Sequence, residues 1–221
     1  MHNIVNNLLS IQNELKIKIK KLNFENYNPN IVAVSKTFTI KDILPLINHG
    51  HLHFGENKVQ ESIEKWTSIK SDFKDIKLHM IGKLQTNKVK YVVPLFDYIH
   101  SVDSLKLAEK ISQQQVKNNK IMKLFIQINI GNENQKNGIL IDQLDSFYNK
   151  CTNDLGLNII GLMCLPPNDN KSQIYFSKMQ QLVRKLQLKD ISMGMSNDYL
   201  EAINYQSTYL RIGSKIFGER S

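Results

Sequence analysis

Apolar residues in this chain fall into short blocks of two kinds, and the blocks alternate from end to end. Ile4, Leu8, Ile11, Leu15 and Ile19 recur at steps of four and three, which predicts an amphipathic helix over 3–22. A turn through 26–30 with Pro29 leads into Ile31-Val32-Ala33-Val34, an unbroken apolar run that reads as a strand buried on both faces. Thr39 and Asp42 have capping-box spacing for a helix that closes near Gly50 and is kinked by Pro45. A short strand over 51–54 follows, and Gly55-Glu56-Asn57 turns into a helix carrying Val59, Ile63, Trp66 and Ile69 on one side.

The same succession continues. Strands are predicted over 77–81, 97–100, 123–130, 158–163, 190–192 and 208–212. Between them lie helical patterns: a short one around 86–92, one capped by Asp103 and running to about Asn118, and one marked by Ile141, Leu144, Tyr148 and Cys151. Beyond Pro166-Pro167, Phe176, Met179, Leu182 and Val183 mark another, and a last one covers 198–203. Strict strand-then-helix order implies right-handed crossovers and a parallel sheet. Eight such units favour a closed barrel, and no G-x-G-x-x-G follows the first strand to suggest an open dinucleotide-binding sheet. The expected fold is a single α/β (β/α)8 TIM-type barrel domain over 1–221, flanked by an additional N-terminal helix in 1–22.

Composition narrows the function classes. With 41% hydrophobic residues in 221, the chain can bury a full core, yet no stretch approaches the ~18 apolar residues of a membrane span. The amino-terminal segment lacks a signal-peptide pattern, so a cytoplasmic location is expected. The formal charge of +9 raises nucleic acid as a partner, but only Arg184, Arg211 and Arg220 among the 29 basic residues are arginine. Scattered lysine is a poor phosphate-reading face, and nucleic-acid binding is not expected. Cys151 and Cys164 have no metal-site spacing and read as buried thiols, and His49, His51 and His53 do not complete a zinc set.

Barrels of this kind work at the carboxyl ends of their strands. Lys36 follows the first strand, where a bare ammonium at the end of an apolar sheet is costly unless it is paired or reacts with a carbonyl. The commoner case for a lysine in such a place is simply the first exposed residue after a core strand. Ser192-Met193-Gly194-Met195-Ser196-Asn197 and Arg211-Ile212-Gly213-Ser214 follow strands seven and eight, where glycine, free N–H groups and hydroxyls suit an anion. Arg211 shares a strand face with Tyr209 and reaches either the barrel mouth or a nearby acid. Asn57 follows strand two, and His79 in strand three is either a pocket residue or a hydrogen-bonded core histidine.

Six motifs taken in order resemble the YggS/PROSC family of pyridoxal phosphate homeostasis proteins. They are Ala33-Val34-Ser35-Lys36-Thr37, Phe54-Gly55-Glu56-Asn57, His79 through Lys88, Gly161-Leu162-Met163, Ser192 through Ser196, and Arg211 through Gly218. The resemblance implies a barrel of the alanine racemase amino-terminal type holding pyridoxal 5'-phosphate as a Schiff base on Lys36. It implies Ser196, Gly213 and Ser214 as the phosphate cradle with Met195 in the same turn, Arg211 facing the pyridine nitrogen, and Asn57 and His79 lining the pocket. It further implies a monomeric cofactor carrier acting in vitamin B6 homeostasis, with PLP-dependent apo-enzymes as candidate partners and no robust turnover; the alternative is a low-activity amino-acid racemase. Leu78, Phe38-Thr39 and Gln206 depart from the family pattern without touching the implied cofactor contacts. No role for Gln85 to Lys88 can be derived from the sequence.

Overall fold

Eight short strands buried along most of their length can be covered only if the sheet closes on itself and helices pack over its outside. That is the observed architecture. The structure is a computed structural model and describes residues 4–133 and 135–218. The chain runs α1 (Ile4–Lys21), β1 (Asn30–Val34), α2 (Ile40–Asn48), β2 (His53–Glu56), α3 (Val59–Asp72) and β3 (Lys77–Met80). It continues through α4 (Val89–Leu95), β4 (Tyr98–Val102), α5 (Leu105–Asn118), β5 (Lys123–Ile128), α6 (Leu144–Asn149) and β6 (Ile159–Cys164). α7 (Ser172–Lys185), β7 (Asp190–Ser192), α8 (Tyr199–Asn204), β8 (Tyr209–Ile212) and α9 (Ser214–Phe217) complete it. The strands pair in sequence order, all parallel, and β1 closes the barrel against β8 with Ala33 opposite Ile212.

The apolar side chains form two cores. The larger lies between the sheet and the helices, while Val32, Tyr98, Phe125, Met163 and Tyr209 pack as a separate cluster inside the barrel. Cys151 and Cys164 are both buried free thiols. Among the described residues no helix is long and apolar enough to cross a membrane.

Local differences from the sequence reading have identifiable causes. The second strand lies at His53–Glu56, two residues later than expected, because Glu56 is a fully buried strand end and no turn residue. Its Oε1 accepts from Ser35 Oγ (2.7 Å), Trp66 Nε1 (2.9 Å) and Lys65 Nζ (3.0 Å), while Oε2 is buried with no hydrogen-bond partner among the described residues. Ser104, not Asp103, caps α5 by accepting from the Leu107 N–H. The fifth strand stops at Ile128 rather than Ile130. Thr39 and Asp42 do open α2, the Asp42 carboxylate accepting from the Thr39 N–H at 2.9 Å.

The amino-terminal helix packs firmly onto the barrel. Leu8, Ile11 and Leu15 are buried, and Asn7 Nδ2 donates to the Ile216 carbonyl in α9 at 2.8 Å. Glu14 pairs with Lys215 at 3.1 Å and accepts from the Tyr199 hydroxyl, binding α1 to α8 and α9. Replacing Ile11 by Ala should cost about 2–5 kcal/mol in a urea unfolding measurement; an unchanged midpoint would make α1 an appendage.

Candidate functional site

Two cavities mark the two ends of the barrel. The larger, about 840 Å3, lies between α1 and the base of β1 and β2 and is lined by residues including Leu15, Lys16, Tyr27, His51 and His53. The smaller, about 360 Å3, opens at the carboxyl ends of the strands. Only the smaller one gathers a lysine, an arginine, hydroxyls and a glycine turn, and it lies at the end where barrels of this type work.

Lys36, Asn57, Met195, Ser196, Arg211, Gly213 and Ser214 all line this cavity, within apolar walls from Val34, Phe38, Ile81 and Leu165. The backbone around Lys36 is held on both sides. Ser35 donates its N–H to the Gly55 carbonyl at 3.0 Å, and its own carbonyl accepts from Lys65 Nζ at 2.9 Å. Thr37 donates its N–H to Glu61 Oε1 at 2.7 Å and sits at φ 70°, a left-handed conformation that strains a β-branched residue.

Asn57 is placed by a close backbone approach. A Cβ on Gly82 would lie 2.4 Å from the Asn57 carbonyl oxygen, so only glycine admits this contact. The Asn57 Oδ1 is buried without a hydrogen-bond partner among the described residues, leaving an acceptor in the cavity wall.

The two late turns meet at the seam with β1. Gly194 adopts φ 89° and presents its carbonyl to the Arg211 N–H at 3.0 Å. Ser196 Oγ accepts from the Gly213 N–H at 3.3 Å and the Lys215 N–H at 3.4 Å, so hydroxyl and amides converge at the start of α9. Met195 is partly exposed at the rim.

Arg211 is 4% exposed, and burial works against its charge. One of its terminal nitrogens donates to Ser192 Oγ at 2.5 Å and the other to the Cys164 carbonyl at 2.8 Å. The adjacent Cys164 thiol is pushed up to about 12 by burial and stays neutral. None of the ion pairs among the described residues includes Arg211.

His79 does not line the cavity. It lies fully buried in the barrel interior, stacked on Tyr98 with ring centroids 4.1 Å apart. Its Nδ1 is 2.9 Å from His100 Nε2, and its Nε2 is 2.9 Å from His53 Nδ1. His100 stacks on Phe125 and places its Nδ1 2.8 Å from Ser192 Oγ. Burial first, then the neighbouring cationic or imidazole groups, holds His79 and His100 well below the ordinary histidine range. Sequence reasoning did not single out His100; its signal was the period-two spacing that sets it on the same face of β4 as Tyr98.

A barrel with a lysine after β1 and glycine-containing turns after β7 and β8, all lining one cavity, defines the class. The family model for the alanine racemase N-terminal domain matches residues 11–221. The pyridoxal phosphate homeostasis protein of Haemophilus influenzae is 35% identical over 229 aligned positions, covering 99% of this chain and 97% of the relative. PipY of Synechococcus elongatus, solved with PLP bound, is 30% identical with a TM-score of 0.79, covering 92% of this chain and all of that one. Alanine racemase of Corynebacterium glutamicum shares the fold at 14% identity and a TM-score of 0.65, over 96% of this chain and 61% of its own. The chain belongs to the pyridoxal phosphate homeostasis protein family.

The depressed histidines make stability depend on pH. His51 and His53 fall from 6.5 to about 4, chiefly through burial, although the Asp97 carboxylate opposes the effect of Lys77 and Lys123 on His53. The unfolded chain therefore binds protons that the folded one refuses. Their contribution is fully present above about pH 6.5 and is lost as pH falls toward about 4. The thermal midpoint should fall steadily across that window; a flat profile would contradict the neutral histidine interior.

Proposed function

We propose that this protein is a carrier of pyridoxal 5'-phosphate, taking up the cofactor on Lys36 and serving its homeostasis. The observation that carries the reading is the meeting, in one cavity, of Lys36 from the end of β1 with the Ser196 and Gly213-Ser214 turns at the β8 end. Its volume of about 360 Å3 lies at the lower end of the ~300–1,000 Å3 usual for small-ligand pockets.

The residues present fit the group. Lys36 supplies a primary amine for the aldehyde, while the Ser196 and Ser214 hydroxyls and the amides around Gly213 suit a dianionic phosphate. Arg211 supplies a donor for the pyridine nitrogen, and the orphaned Asn57 Oδ1 supplies an acceptor in the wall. Met195 lines the same cavity beside Ser196. His79 acts at one remove, through His100 and Ser192.

Bound pyridoxal phosphate supplies an electron sink for amino-acid chemistry when its ring nitrogen is protonated. Arg211 opposes that protonation, being itself a cation that can only donate. Reversible holding of the cofactor is favoured over turnover, in line with the name carried by the relatives and with delivery to PLP-dependent apo-enzymes in the cytoplasm by a monomeric carrier.

Purified protein mixed with pyridoxal phosphate should develop a visible absorbance band that borohydride bleaches and that Lys36→Ala abolishes. A wild-type protein that stays colourless after loading would overturn the proposal. Incubation of the loaded protein with amino acids in deuterated water should leave Cα unlabelled; Lys36-dependent exchange would favour the racemase reading.

A further inference from the structure

We infer that Ser192, His100, His79 and His53 are positioning residues for Arg211, forming one hydrogen-bond chain with a single direction along the inside of the barrel. Guanidinium has donors only, so Ser192 Oγ is the acceptor in its contact with Arg211. Both polar contacts of the Ser192 hydroxyl among the described residues are this one and His100 Nδ1 at 2.8 Å, so its proton goes to the imidazole. His100 then carries its own proton on Nε2 and donates to His79 Nδ1, and His79 donates from Nε2 to His53 Nδ1, each at 2.9 Å. The chain ends at His53, in the wall of the cleft at the base of the barrel.

Electrostatics selects the same direction. With these tautomers the lone-pair end of every group points toward the guanidinium, so the dipoles are aligned to stabilise its charge. The reverse order would turn each N–H toward a buried cation and leave Ser192 Oγ accepting twice. A buried cation normally calls for a carboxylate, which would cancel its charge. Here neutral dipoles supply the hydrogen bonds, the Asp198 carboxylate acts on the charge only from beyond ion-pair distance, and Arg211 keeps its positive charge at the cavity. The stacked partners Tyr98 and Phe125 fix the ring planes that the chain requires.

Groups around the chain favour neutral imidazoles. Lys77 from β3 and Lys123 from β5 face His53, with Asp97 opposing them; Lys123, His51 and the other two histidines face His79; Arg211 and His53 face His100.

The chain belongs to the protein without its ligand, so its direct test needs no cofactor. Long-range proton–nitrogen correlation spectra of the full chain with 15N-labelled histidine, at pH 7, should show His53, His79 and His100 uncharged with the proton on Nε2. A charged ring, or a proton on Nδ1 of His100 or His79, would overturn the inference. Arg211→Met should remove the bias and give His100 as a mixture of tautomers; an unchanged spectrum would show that Arg211 does not set the direction. The consequence for binding rests on the proposed function: Ser192→Ala should weaken pyridoxal phosphate binding about tenfold, and unchanged affinity would overturn the positioning role. If wild type takes up no cofactor, the functional proposal fails while the tautomer result stands.

Discussion

Closure of the barrel by β1 against β8 is the constraint on which the site depends. The parallel register from Asn30 opposite Tyr209 to Ala33 opposite Ile212 joins the first and last strands of the chain. Lys36 and Gly213, 177 positions apart in the numbering, thereby become neighbours across one seam. Without closure the lysine and the turns after β7 and β8 would sit on opposite edges of an open sheet, and neither alone would define a site.

The interior inside that sheet is unusually polar for a packed core. Three histidines, Ser192 and Arg211 lie among Tyr98, Phe125 and Tyr209, and they tolerate burial because each has a partner at hydrogen-bond distance. The outer core carries the hydrophobic stabilisation, so the inner one is free to be chemically specialised. At the rim, one oxygen of the Glu56 carboxylate at the end of β2 joins Ser35, just past β1, to Lys65 and Trp66 of α3, immediately beside the lysine segment.

Much of this was legible in the residues. Strand-then-helix alternation carries the fold because each period is local and repeated eight times. Lys36 and the two glycine-containing turns are of residue types ordinary for such places, and what made them legible was their joint position after strands one, seven and eight, whose ends the structure brings to one cavity. What escaped was set by tertiary partners. Glu56 looks like a turn acid until Ser35, Lys65 and Trp66 surround it, and His79 cannot be placed beneath the cavity without knowing that His53 and His100 flank it. Ser104 replaced Asp103 as the α5 cap because two adjacent capping residues differ only in backbone geometry.

The left-handed Thr37 bears on how the site can move. A threonine is kept at φ 70° only because its surroundings over-determine it, and the Glu61 carboxylate grips its N–H from α3 while Lys65 grips the Ser35 carbonyl from the same helix. The segment carrying Lys36 is therefore clamped at both ends. A molecule arriving at the mouth meets a lysine whose backbone is already fixed, on a post that two side chains of α3 hold from both sides.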